Sequence, residues 1–112
     1  MKESLDPFWK HFIIPGMDHC TLSTTSGSAP WNFGQFMAPP QGLTNDSAHN
    51  ILWSLVDWVE KGVSPKDLIG TKFVNDDPQL GIDGQRRYCP YPKKSVLGRG
   101  MDPKKAESWK CH

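Results

Sequence analysis

The sequence predicts an α/β fold, a layer of helix and strands that would lie at the end of a larger sheet. Three observations predict it. An amphipathic run over residues 47–61 has helical spacing. Short apolar segments at 8–14 and 68–74 flank it and read as extended chain. A Gly-containing tail follows a last extended segment at 86–92. The order strand, loop, helix, strand, tail is that of a terminal α/β layer.

Residues 8–14, FWKHFII, read as a strand, or as a helix end passing into a strand. Pro15-Gly16 stops it. A strand followed by a Pro-Gly turn presents the next side chains, Met17 to Cys20, at a sheet edge. Residues 21–46 read as loop, rich in Ser, Thr, Gly and Pro. Trp31, Phe33, Phe36 and Met37 interrupt it and are expected to pin it to a neighbouring surface.

The helix over 47–61 takes Asp46 as its N-cap, with Asn45 as the alternative. Ile51, Leu52, Leu55, Val56 and Val59 fall on one stripe, which is expected to bury against a sheet. Gly62 closes the helix in the C′ position. Asp57 and Lys61 make an i, i+4 pair on the polar side. Ser64-Pro65 starts a short turn, and 68–74 reads as a strand. Asn75-Asp76-Asp77-Pro78 and Gly81-Ile82-Asp83-Gly84 belong to a polar loop. Arg86 to Pro92 reads as an edge segment, because its two prolines donate nothing to a ladder. The tail beyond is polar, with Gly98 and Gly100.

Bulk properties narrow the classes. The chain has 112 residues, a length that predicts one domain. Yet Gly and Pro number 10 each and only 37% of residues are hydrophobic, so the chain is expected to be a piece of something larger. Net charge is +1, from 13 basic and 12 acidic side chains, and no basic run makes a nucleic-acid footprint. No stretch approaches the ~18 apolar residues of a membrane span. The opening MKESLDPFWKH is too polar for a signal peptide. Three cysteines leave one without a partner among themselves. Asn45-Asp46-Ser47 is an N-glycosylation sequon, which leans toward secretion.

His19 is a general base, a metal ligand or an ordinary loop histidine. Its place after a strand and a turn favours the base. In α/β-hydrolases the triad runs Ser, acid, His in chain order, so the base comes last with a helix behind it. Cys20 is a poor nucleophile for His19, since adjacent residues on extended chain point to opposite sides. A disulfide is its better use. Asp18 has the same geometric problem as a triad acid and reads as a turn residue. A zinc site from His19, Cys20, Cys89, Cys111 and His112 fails on ligand spacing. Asp76, Asp77 and Asp83 lack the alternation of a calcium loop and read as a solvated turn. Trp53 and Trp58 read as packing or interface residues.

Three ordered blocks resemble a known family. FIIPGMDHC resembles the F-x-x-PGM-x-HC block of the tannase/feruloyl esterases. ILWSLVDWVEKGVSPKDLIGTKF resembles their L-x-x-LVDWVE-x-G-x-AP-x-x-I-x-(A/G)-T block. RRYCPYPKKSVLGRG with SWKC resembles their closing R-x-x-CPYP block and final cysteine. The resemblance spans nearly the whole chain. It implies the C-terminal portion of an α/β-hydrolase catalytic domain over residues 1–112, with the nucleophile half and the lid domain upstream and absent here.

The resemblance further implies a secreted serine carboxylesterase that hydrolyses phenolic-acid esters. His19 would be its catalytic histidine. Cys20 would be the cysteine bonded to one directly before the nucleophile, so its partner is absent here. The family's calcium would sit in the lid, leaving no cofactor or metal in this segment. The partner would be a small-molecule phenolic ester, with no nucleic acid or membrane. Alone, the chain is expected to be inactive, marginally stable and prone to dimerise through an exposed Cys20. Cys89 and Cys111 are expected to bond to each other, which would hold down the Gly-containing tail. The alternative is a non-enzymatic, disulfide-stabilised module or a decayed gene product.

Overall fold

A computed structural model describes residues 5, 7–18, 21–22, 29–34 and 46–112. Met17–Asp18 (β1) pairs antiparallel with Thr21–Leu22 (β2). One helix follows, Ile51–Lys61 (α1). Leu68–Phe73 (β3) pairs antiparallel with Ile82–Tyr88 (β4), with a register shift between Lys72 and Phe73. Ser95–Leu97 (β5) and Trp109–Cys111 (β6) make a last antiparallel pair. Short 3-10 turns lie at Val74–Asp76, Pro78–Leu80 and Ala106–Ser108.

β3 begins at Leu68 as its β-branched and apolar content predicts, and ends one residue early, at Phe73. The segment at 8–14 is not a strand. Its side chains alternate as in a strand, with Phe12 and Ile14 packed inward and Ile13 exposed. Its ladder contact is the single bridge of Phe12 to Pro90, and Pro90 has no N–H to extend it. β4 starts at Ile82, earlier than the extended segment read at 86–92, and stops before the prolines. The tail is not irregular: β5 and β6 pair through it, and the Cys89–Cys111 disulfide closes it.

The helix starts at Ile51, not at 47. Two capping side chains compete here, and each closes its own turn. Asn50 Oδ1 accepts from the Leu52 N–H, while Asp46 Oδ1 accepts from the N–H groups of Ala48 and His49. Gly62 terminates the helix with φ 69°, as its position predicts. The Asp57–Lys61 ion pair forms at 3.1 Å. The apolar stripe, however, is not buried. Ile51, Leu52, Leu55 and Val59 are all exposed, and Ser54 is the helix's buried residue. The helix is tied to the 29–34 segment at its beginning, where the Ile51 N–H donates to the Phe33 carbonyl.

The core sits between β3, β4 and the 29–34 segment. Phe33, Leu68 and Tyr88 form its centre, with Phe12, Ile14, Met17 and Ala29 packed against them. Trp31 and Phe33 do pin their loop, and the surface they need is β3: Asn32 and Thr71 exchange both backbone hydrogen bonds at 2.9 Å. Phe36 and Met37 lie outside the described residues.

Candidate functional site

The turn before His19 follows from two residues. The Met17 N–H donates to the Ile14 carbonyl across Pro15-Gly16, and Gly16 has φ 74°. Proline first and a left-handed glycine second make a type II turn. The chain then enters β1, where Met17 opposes Leu22 and Asp18 opposes Thr21. Asp18 is therefore in a strand, not in the turn where its residue type had placed it. His19 and Cys20 are the two residues between β1 and β2 in sequence, and they lie outside the described residues, as does Asn45.

The ground beneath this hairpin is well defined. Met17, Ile14 and Phe12 pack on the Tyr88 cluster. Tyr88 is 2% exposed, its ring lies 5.7 Å from that of Phe33, and its hydroxyl donates to the Pro30 carbonyl at 2.7 Å. Burial pushes its pKa up to about 12, against the opposing pull of the Arg86 guanidinium, so the hydroxyl keeps its proton. On the next residues, the Tyr91 N–H donates to the His11 carbonyl at 2.7 Å. The residues that follow β4, Pro90 and Tyr91, thus anchor the segment that leads to His19.

A cavity of about 270 Å³ opens beside this anchor, between Ile13, Pro15, Tyr88, Tyr91 and Trp109. Arg86 lines it with its guanidinium stacked 4.0 Å from the Trp109 ring centre. Ser95 also lines it, but its hydroxyl donates to the Arg87 carbonyl, which makes it a structural serine and not a nucleophile.

Asp76, Asp77 and Asp83 do not converge. Asp76 accepts from Lys72 Nζ at 2.7 Å and from the Trp31 indole N–H at 3.1 Å. Burial raises its pKa, but those two donors outweigh burial and hold the carboxyl below its ordinary range. Asp77 caps a 3-10 turn through the Gln79 N–H, and Asp83 accepts from Lys104 at 2.6 Å. The Asp76 region is thus a structural latch, not the solvated turn its composition suggests. Both Asn75 and Asp76 have positive φ, a conformation these two residue types tolerate best after glycine. Sequence reasoning missed the latch. Its one visible signal was the Asn75-Asp76 pair directly after a strand.

His49 Nδ1 lies 2.8 Å from Asp46 Oδ1, three residues earlier. The pair belongs to the turn before α1, whose amides the same carboxylate caps. Among the described residues no group of three or more His, Cys, Asp or Glu side chains is placed to hold a metal ion.

A family model described as tannase and feruloyl esterase matches residues 1–112. A probable feruloyl esterase B-2 of Aspergillus flavus is 44% identical over 96 residues, covering 85% of this chain and 18% of its own length. A probable feruloyl esterase B-2 of Aspergillus terreus is 33% identical over 109 residues, covering 97% of this chain and 19% of its own. Among solved structures, an esterase from Aspergillus oryzae superimposes on 96% of this chain with TM-score 0.79 at 28% identity. Feruloyl esterase B from Aspergillus oryzae does so with TM-score 0.76 at 30% identity. This chain covers 20% of each of those two structures, so it spans about a fifth of its relatives' length.

Proposed function

The chain belongs to the tannase and feruloyl esterase family, and on that premise we propose that it is the C-terminal, histidine-bearing part of a serine carboxylesterase acting on phenolic-acid esters. The observation that carries this reading is the family match across residues 1–112, which includes the Pro15-Gly16-Met17-Asp18-His19-Cys20 block. His19 is the general base. It takes the proton of a serine as the serine attacks the ester carbonyl, then returns it to the leaving alcohol. In the second half it activates water against the acyl-enzyme. The serine and the acid that orients the imidazole come from outside these residues, in the hydrolase fold that this chain completes.

Cys20 bonds to a cysteine beside that serine and so ties base to nucleophile. Asn45 carries an N-glycan on a secreted protein, the compartment in which such disulfides persist. The family's lid and its calcium lie, on this reading, outside these residues. Asp76, Asp77 and Asp83, the acidic residues closest to a calcium loop in pattern, are each engaged with protein donors.

The test is a graft. In place of the C-terminal fifth of feruloyl esterase B from Aspergillus oryzae, the chain should sustain hydrolysis of methyl ferulate. His19→Ala in that graft should lower kcat by about 10⁴-fold or more, the scale on which triad members act. The 112-residue chain alone should turn nothing over. Graft activity that survives His19→Ala within tenfold would refute the assignment.

A further inference from the structure

We propose that Met17 is a positioning residue for the reaction, seated on the Phe33, Leu68 and Tyr88 cluster and supporting the β1–β2 pair that brackets His19 in sequence. The proposal builds on the reading of His19 as the base. Met17 stands in β1, two residues before His19, and packs on the buried Phe33, Leu68 and Tyr88 cluster. The hairpin itself is short. β1 and β2 have two residues each, and a pair this small has little stability without packing on something else.

Tyr88 is suited to bear it because it is fixed from every side. Before it, β4 pairs with β3, and Tyr88 faces Leu68 in the ladder. After it, Cys89 is bonded to Cys111 and Pro90 bridges to Phe12. Its hydroxyl holds the Pro30 carbonyl. Gly70 lies against its ring, where an added Cβ would fall 2.7 Å from Tyr88 Cε2. The N-terminal segment, the 29–34 segment and the β3–β4 sheet therefore meet at one cluster, Phe33, Leu68 and Tyr88, and Met17 is the residue packed on it that stands nearest to His19 in sequence. A base that must reach a serine hydroxyl within hydrogen-bonding distance is sensitive to displacements of about an ångström. The seat sets that placement through packing, with no contact to substrate.

Met17→Ala tests the seat from the hairpin side, with Met17→Leu as the volume-conserving rescue and Tyr88→Phe as the variant that keeps the ring. In the 112-residue chain, ¹⁵N relaxation should find residues 17–18 and 21–22 as ordered as β3. Met17→Ala should lower order there while leaving the β3–β4 ladder unchanged. Met17→Leu should restore it, and Tyr88→Phe should leave it intact. In the Aspergillus oryzae graft, Met17→Ala should reduce kcat about tenfold or more with KM within twofold, and Met17→Leu should recover most of the loss. The proposal is overturned by a wild-type hairpin that is already disordered, by no change in Met17→Ala, or by equal loosening of the ladder. A graft that hydrolyses ester without His19 would instead sink the functional reading, and the relaxation measurement would still judge the seat.

Discussion

Replacing Gly70 by Ala should destabilise the chain, although backbone entropy alone argues the reverse. Gly70 does not occupy the left-handed region, so Ala there would normally gain about 0.4–1 kcal/mol by restricting the unfolded chain. Packing opposes this. An added Cβ would stand 2.6 Å from the Pro30 carbonyl oxygen, 2.7 Å from Tyr88 Cε2 and 3.0 Å from Phe33 Cζ. None of the three yields easily. The carbonyl accepts the Tyr88 hydroxyl, both rings are buried, and Asn32 is paired with Thr71 two residues on. Overpacking of this kind costs about 1–3 kcal/mol, so the net loss should be roughly 1–2 kcal/mol once the entropy gain is deducted. Urea unfolding followed by tryptophan fluorescence reads it as a lower midpoint at unchanged slope. Gly62→Ala is the control. Open space surrounds it, so its cost of about 1 kcal/mol comes from φ 69° alone. A Gly70→Ala midpoint at or above wild type would mean that the Tyr88 site has slack, and the account of the core would fail.

Four further outcomes follow from the geometry. Cys89→Ala with Cys111→Ala should cost about 3 kcal/mol in the chain-entropy account, for a loop closed across a separation of 22; a loss under about 1 kcal/mol would mean that β5–β6 pairing holds the tail unaided. Asp76→Asn should cost about 1–3 kcal/mol, because it leaves the Lys72 ammonium without its carboxylate, and Trp31 emission should shift to the red. The Asp76 contribution should be present above the ordinary carboxyl value of 3.8 and disappear as pH falls through its lower folded value, so a wild-type acid limb identical to that of Asp76→Asn would contradict it. Tyr88 carries the opposite sign: its folded pKa is raised from 10.0 to about 12, so stability should be full below pH 10 and decline between the two values by at most about 1.4 kcal/mol per pH unit, a decline that Tyr88→Phe should flatten. Leu55→Ala should change the stability of this chain by less than about 0.5 kcal/mol, since Leu55 is 52% exposed; a loss of 2 kcal/mol or more would show that the stripe is covered.

Local signals in the sequence were sufficient where one residue decides the backbone. Gly62 ends the helix, Pro15-Gly16 makes the turn, and the apolar run from Leu68 makes β3, each where its chemistry predicts. Boundaries failed where two residues offered the same service. Asp46 and Asn50 both cap, and composition does not say that the first closes an isolated turn and the second starts the helix. The strand reading of 8–14 failed for a related reason. Alternation identifies a chain with one buried side, but a strand also needs a partner with free N–H groups, and Pro90 has none to offer.

The helix stripe and the histidine hairpin mark what a sequence pattern can and cannot specify. Periodicity at Ile51, Leu52, Leu55, Val56 and Val59 identifies an apolar face, and it is silent about what covers that face. Within this chain the face is exposed, and relatives that share the fold are about five times as long. The hairpin is the converse case. The PGMDHC block was recognisable at once from residue identities, while its support was not, because Tyr88 and Gly70 stand about fifty to seventy residues further along and carry no motif of their own. A buried tyrosine announces itself only through contacts made at long range: the Leu68 pairing, the Pro30 carbonyl and the Phe33 ring. The identities in the block are legible as words in the sequence, whereas the cluster beneath Met17 is legible only once the chain is folded.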